Sequence, residues 1–271
     1  MSRLHLVVSI EPQAFFVERI GGDRVQVTVL IPPGQSPHTF EPLPAQVAAL
    51  DSADLYLTIG MPFEAPLRAK VSATRPDLRV ADMRRNVELL PMSADDYHAV
   101  GKGEMDPHVW LDPGRAIILA RNTRDELAAL DPAGAAFYDA NLQALTRELQ
   151  SLDARLRSQL APLRGSEVLV FHPAFGYFCA AYGLRQVAIE EQGKEPDARR
   201  LAQIIREARQ RGARVVFVQP GFPDRAARAV AREIGGAVVP LDTLARDYIG
   251  NLQSMAQVLS EQLSAPPGRE R

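Results

Sequence analysis

Apolar residues fall into short runs of four to seven, separated by stretches in which they recur every three or four positions. In the first half, Leu4–Ile10, Val25–Ile31, Leu55–Ile59 and Leu78–Ala81 are rich in Val, Ile and Leu and are bounded by Gly, Pro or Asp, which predicts strands. Residues 44–50 and 115–130 carry helical patterns, the second starting after Asp112-Pro113. The second half repeats the theme: Glu167–Phe171, Gln186–Ile189, Val215–Gln219 and Ala237–Leu241 read as strands, with helices at 197–211 and 224–234. Continuous apolar strands alternating with helices predict an α/β fold, each half a mainly parallel sheet of about four strands covered on both faces.

The strongest periodicity lies between the halves. Asp131 offers a cap and Pro132 a first helical position where its missing N–H costs nothing. Tyr138, Leu142, Leu145, Leu149, Leu152, Leu156, Leu160 and Leu163 then form one apolar stripe, and Gly165 closes it. A helix of that length runs ~45 Å at 1.5 Å per residue. The expected organisation is therefore an N-terminal lobe over 1–131, a rigid linking helix over 132–164 and a C-terminal lobe over 165–271.

Composition narrows the classes without choosing one. The 271 residues are 46% hydrophobic and 24% charged, as in ordinary globular proteins, and suffice for two domains with real cores. A formal charge of −2 gives no bulk reason to expect nucleic acid or an anionic membrane as partner. The single cysteine, Cys179, sits in an apolar run and reads as a small buried hydrophobe. No run approaches the ~20 apolar residues of a membrane span. No leader precedes the first strand, so the chain is either cytosolic or the trimmed form of an exported protein.

Three of the five histidines stand on stiff corners. His38 lies among Pro32, Pro33, Pro37 and Pro42 directly after a strand; His108 lies in Asp106-Pro107-His108-Val109-Trp110-Leu111-Asp112-Pro113; His172 ends a strand before Pro173. Asp242 ends another strand. Ligands of open α/β sheets bind beyond the carboxyl ends of strands, and three neutral imidazoles with one carboxylate suit zinc, with manganese or iron also open. Successive spacings of about 64–70 residues mean that such a site exists only when the lobes fold and face each other. Glu41, three residues from His38, is an alternative fourth ligand or an orienting partner. His5, within a strand, reads as structural.

Taken together and in order, the local motifs resemble those of the zinc/manganese solute-binding receptors of ABC transporters over essentially the whole chain. They are Pro37-His38-Thr39-Phe40-Glu41-Pro42, Asp106–Pro113, Phe171-His172-Pro173-Ala174-Phe175-Gly176-Tyr177-Phe178, Gly193-Lys194-Glu195-Pro196 and Leu241-Asp242-Thr243-Leu244. The resemblance implies two lobes joined by a long helix, and one metal in the cleft held by His38, His108, His172 and Asp242. It also implies an exported, periplasmic or lipid-anchored monomer that hands its cargo to a membrane permease driven by an ATPase. Many zinc receptors of this kind carry a long His-rich acidic loop before the second ligand. Here residues 93–105 hold only His98 with Asp95, Asp96 and Glu104, and His98 reads as a solvated loop residue.

Rival functions have weaker support. A metal-dependent hydrolase would keep an open coordination position and use Glu41 as base, but Asp242 closes that position and no His-Glu-x-x-His or nucleophile elbow occurs. A receptor for an organic solute would present stacking aromatics in its motif loops, where this chain presents histidines. Glu190, Glu191 and Glu195 follow a second-lobe strand and are expected to shape the rim or meet the permease.

Overall fold

The computed structural model describes residues 3–92, 105–190, 196–222 and 224–264. His98 with its acidic neighbours, Glu191 and the Gly193–Glu195 part of its motif lie outside these residues. The chain divides into two compact units. The first comprises Met1–Glu88, Pro113–Asp153 and Leu244–Ile249; the second comprises Leu89–Asp112, Ala154–Thr243 and Gly250–Arg271. The segment carrying His108 thus belongs to the second unit, although it precedes the long helix in sequence.

In the first unit, β1 (Leu4–Val8), α1 (Glu11–Gly21), β2 (Val25–Val29), α2 (Pro44–Ala48), β3 (Leu55–Thr58), α3 (Glu64–Thr74) and β4 (Arg79–Asp82) follow in order, before α4 (Pro113–Leu130). The strands form one parallel sheet ordered β2-β1-β3-β4. Leu6, Val7, Val8, Leu55, Tyr56 and Leu57 are buried, as expected of strands covered on both faces.

α5 (Ala135–Leu160) is the long helix, about 39 Å at 1.5 Å per residue, with 3-10 turns at Pro132–Gly134 and Ala161–Leu163. Asp131 caps its leading turn by accepting from the Gly134 N–H. Tyr138, Leu142, Leu145, Leu149, Leu152, Leu156, Leu160 and Leu163 are all buried. Each such leucine contributes about 1.5–3 kcal/mol of transfer free energy. The division between the units falls within this helix, after Asp153.

The second unit holds β5 (Glu167–Val170), α6 (Gly176–Tyr182), β6 (Arg185–Ala188), α7 (Ala198–Gln210), β7 (Val215–Val218), α8 (Arg225–Glu233), β8 (Ala237–Pro240) and most of α9 (Tyr248–Ser264). Its sheet is also parallel, ordered β6-β5-β7-β8. Leu169, Phe171, Val216 and Val218 pack with Ile204 and Ala208 of α7 and Ala227 and Val230 of α8 in one core.

All eight expected strands form, each one or two residues shorter at its carboxyl end or shifted by one. α1, α3, α6 and α9 were not among the expected elements. Three of them sit close to strand ends, where a short helical period is masked by the adjoining apolar run. α1 begins with Glu11-Pro12, and the Gln13 side chain accepts from the backbone of Ser9 and Ile10 at 2.9 and 3.1 Å to hold its start. α6 stops at Gly183, whose φ of 72° lies in the left-handed region that favours glycine.

Candidate metal centre

In each sheet the chain leaves the first strand in one direction and later crosses to its other side, so β1/β3 and β5/β7 are switch points. The carboxyl edge at such a point is where open α/β sheets bind ligands. β5 runs directly into His172, two residues beyond its end, and β8 into Asp242.

His172 is buried, with its Nδ1 2.7 Å from Glu190 Oε2. Glu190 is held there because its own N–H donates to Phe171 O at 2.9 Å, continuing the β5–β6 ladder past the strand ends. Phe222 stacks on the imidazole at 5.0 Å between centroids.

His108 is built the same way. It precedes a 3-10 turn over Val109–Leu111, is buried, and its Nδ1 lies 2.7 Å from Asp106 Oδ1. Its backbone N–H donates to the same oxygen at 2.8 Å. Asp106 is itself pinned: its N–H donates to Leu90 O, and Tyr177 OH donates to its carbonyl at 2.8 Å. Gly176 is required beside it, because a Cβ there would meet Asp106 Oδ2 at 2.6 Å. That contact explains the glycine and tyrosine of the Phe171–Phe178 motif. The indole N–H of Trp110 donates to Thr243 O at 2.7 Å, anchoring the backbone next to Asp242 against the His108 turn. Asn251 donates to Asp242 O at 2.8 Å from the other side.

Within the second unit the structure brings the two imidazoles together, edge to face with centroids 5.5 Å apart and one ring nitrogen of each within 4.8 Å of the other. Both Nδ1 atoms are engaged by carboxylates, so both Nε2 atoms are the ones a metal would use. Burial, with the charge of His172 nearby, holds the His108 imidazole well below its usual pKa. Burial pushes the Asp106 carboxyl up, to about 7. Burial therefore keeps His108 neutral, the form able to ligate a metal. The Asp242 carboxylate is half-buried, two residues beyond β8.

In the first unit, His38 is half-buried in the loop after β2. Its N–H donates to Ser36 Oγ at 3.3 Å and the Thr39 N–H to Ser36 O at 3.4 Å, a short turn within the proline-braced segment. Phe40 packs edge-on against Phe63 at 4.9 Å and anchors the loop. Glu41 is exposed and accepts no hydrogen bond among the described residues. His5 is structural as expected, bonded through its ring to Ser52 O and Thr28 Oγ1. Cys179 is buried.

Two residues depart from the sequence-based expectation or escaped it. Glu190 is not a rim carboxylate: the β5–β6 pairing draws it inside, where it orients His172. Strand partners are invisible in one dimension, and only an acidic residue just past a neighbouring strand hints at the role. Gln219, one residue past β7 and flanked by the strands leading to His172 and Asp242, is 3% exposed. Its Oε1 accepts no hydrogen bond among the described residues.

Comparison with known proteins decides the family. The model described as "ZnuA: Zinc-uptake complex component A periplasmic" matches residues 6–262. The chain belongs to the ZnuA family. Its members are solute-binding receptors of ABC transporters, working with a permease and its ATPase, and are not enzymes. The chain is 29% identical over 251 residues to the high-affinity zinc uptake system protein ZnuA of Bacillus subtilis, covering 89% of this chain and 79% of that one. It is 30% identical over 211 residues to the manganese-binding lipoprotein MntA of Halalkalibacterium halodurans, covering 75% and 68%. A crystal structure of ZnuA superposes with a TM-score of 0.90 at 38% identity, covering 97% of this chain and all of the other. The two parallel sheets and the long helix are thus the ZnuA-family fold, and a hydrolase finds no support.

Proposed function

We propose that this protein captures a divalent transition-metal ion, zinc before manganese or iron, and delivers it to an ABC permease for uptake. The ligands are His38, His108, His172 and Asp242, with Glu41 outside the coordination sphere or an occasional substitute. The observation that carries this is the pair of buried imidazoles whose Nδ1 atoms are each held 2.7 Å from a carboxylate, with one ring nitrogen of each within 4.8 Å of one on the other. Carboxylate-backed histidine is the usual arrangement behind a metal-ligating imidazole, because it fixes the tautomer and raises ring basicity.

Zinc is favoured on donor chemistry. Three nitrogens and one carboxylate suit a closed tetrahedral site, and nitrogen-rich sites prefer zinc to manganese in raw affinity. The zinc-uptake description of the family model and the Bacillus subtilis relative agree; the manganese-binding relative keeps the second cargo open. The receptor works as a monomer outside the cytoplasm, periplasmic or membrane-anchored, and has no business with nucleic acid. No helix among the described residues is long and apolar enough to cross a membrane.

Elemental analysis of protein purified without chelator, followed by Zn/Mn/Fe competition at buffered free metal, tests the cargo. His172→Ala should cost at least about tenfold in zinc affinity, in keeping with loss of one of four ligands, while the metal-free thermal transition stays cooperative. Unchanged zinc affinity in that folded variant would remove His172, and with it the site.

A further inference from the structure

Formal charge over the whole chain is −2, yet residues 198–233 hold nine arginines against three carboxylates, so the remainder is distinctly acidic. Seven of the nine lie on the two helices α7 and α8. α7 and α8 bury the stripes Ile204, Ala208 and Ala226, Ala227, Val230, Ala231 against the same face of the second sheet and pack side by side. Each follows a strand and precedes the next in a parallel sheet, so the two helices run in the same direction.

Arg199 and Arg206 are seven residues apart on α7, as are Arg225 and Arg232 on α8, which puts each pair on one helical stripe, and all four are exposed. Seven residues of helix span about 10 Å, and packed helices stand about 8–10 Å apart. The four guanidinium groups therefore form a two-by-two array on roughly that spacing. Arg209 and Arg228 in the same surface are paired with Glu233 and Asp224 at 2.8 Å or closer. Arg199, Arg206, Arg225 and Arg232 have no carboxylate within salt-bridge distance among the described residues.

We propose that the α7–α8 face docks on the anionic phospholipid surface of the membrane in which the permease resides. The array matches that partner in three ways. It is broad and shallow rather than a pocket, as a headgroup plane requires. Arginine binds phosphate oxygens in bidentate fashion. Four basic residues near an anionic surface, each worth about fivefold in affinity, multiply to several hundredfold. That is enough to bias the receptor toward the bilayer while leaving it free to depart, unlike a spanning helix. The acidic remainder is repelled by the same surface, so attraction comes with a preferred orientation.

The test uses the full chain with zinc bound and sedimentation with large unilamellar vesicles, either pure phosphatidylcholine or one-third phosphatidylglycerol. The wild-type protein is expected to sediment with the anionic vesicles at low salt, to be released as ionic strength rises past the physiological range, and to ignore phosphatidylcholine. Replacing Arg199, Arg206, Arg225 and Arg232 together by Gln should weaken anionic-vesicle binding by about 100-fold or more, with zinc affinity and cooperative melting retained. A control with Arg68, Arg121, Arg147 and Arg164 changed to Gln has the same net charge and should bind vesicles nearly as well as wild type. If the fourfold variant does not melt cooperatively, the pair Arg206→Gln and Arg232→Gln should still lose about 20-fold or more. Equal loss in the control, no wild-type binding at low salt, or tighter retention on soluble polyglutamate than on anionic vesicles would each overturn the proposal. The zinc titration is a separate readout, so failure of the metal site would leave this result standing.

Discussion

The carboxyl edges of the two sheets present histidines in different states of readiness. In the second unit, His108 and His172 are buried, each locked through Nδ1 by a carboxylate whose residue is held by a backbone hydrogen bond of its own. In the first unit, His38 is half-buried on a loop whose stiffness comes from prolines, a two-residue turn through Ser36 and the Phe40–Phe63 contact. If these histidines are the ligands proposed above, one region has paid their ordering entropy in advance and the other keeps more of it to spend on capture. A receptor that must bind tightly and later let go gains from that division. On the proposed ligand set, the rigid pair would define what is bound and the looser loop would be the natural place for release to begin.

Removing the locks should erase the difference. Glu190→Gln and Asp106→Asn keep the volume but not the charge, and each is expected to lower zinc affinity by about 10–100-fold, the usual cost of a carboxylate behind a ligating histidine. Isothermal competition against a chelator reads this out. Losses below threefold in both would mean that the carboxylates merely fill space.

Acid should separate the two regions next. Protons compete with metal for each imidazole below its own pKa. Because His108 is held well below the usual histidine value, it stays available as pH falls through about 6.5 and adds nothing to the slope there. In Asp106→Asn, which removes the neighbouring carboxyl that itself titrates at about 7, zinc affinity between pH 7.5 and 6 is therefore expected to fall by fewer than three protons per metal, by potentiometric or chelator titration. A full three-proton slope across that range would break the claim that burial keeps His108 neutral.

The smallest effect is expected at Glu41. It is exposed and bonded to nothing among the described residues, so Glu41→Gln should leave zinc affinity within about threefold, as surface changes usually do. A tenfold loss would promote it to a ligand and reduce the contrast, since the first unit would then contribute a carboxylate of its own.

Much of this molecule was written in one dimension. Strand positions, the parallel sheets and the long helix are legible because burial on both faces makes strands continuous apolar runs, whereas burial on one face imposes a period of 3.6 on a helix. The leucine stripe from Tyr138 to Leu163 is the clearest instance, and every one of its residues is buried. The histidine corners are legible too, because proline stiffens the chain wherever it occurs. α9 was legible in principle, with Leu252, Met255, Ala256 and Leu259 at helical spacing and all buried.

What the tertiary structure alone decided is who stands beside whom. Glu190 reaches His172 only because β6 pairs with β5, Gly176 matters only because Asp106 packs on it, and Gln219 is buried only because two strands flank its own. The net charge of −2 concealed the arginine face for the same reason. Composition sums charges over the chain, whereas Coulomb interactions depend on where folding puts them. Local propensity is carried by neighbours in sequence, but hydrogen bonds and fields act through space, and distances through space exist only once the chain has folded.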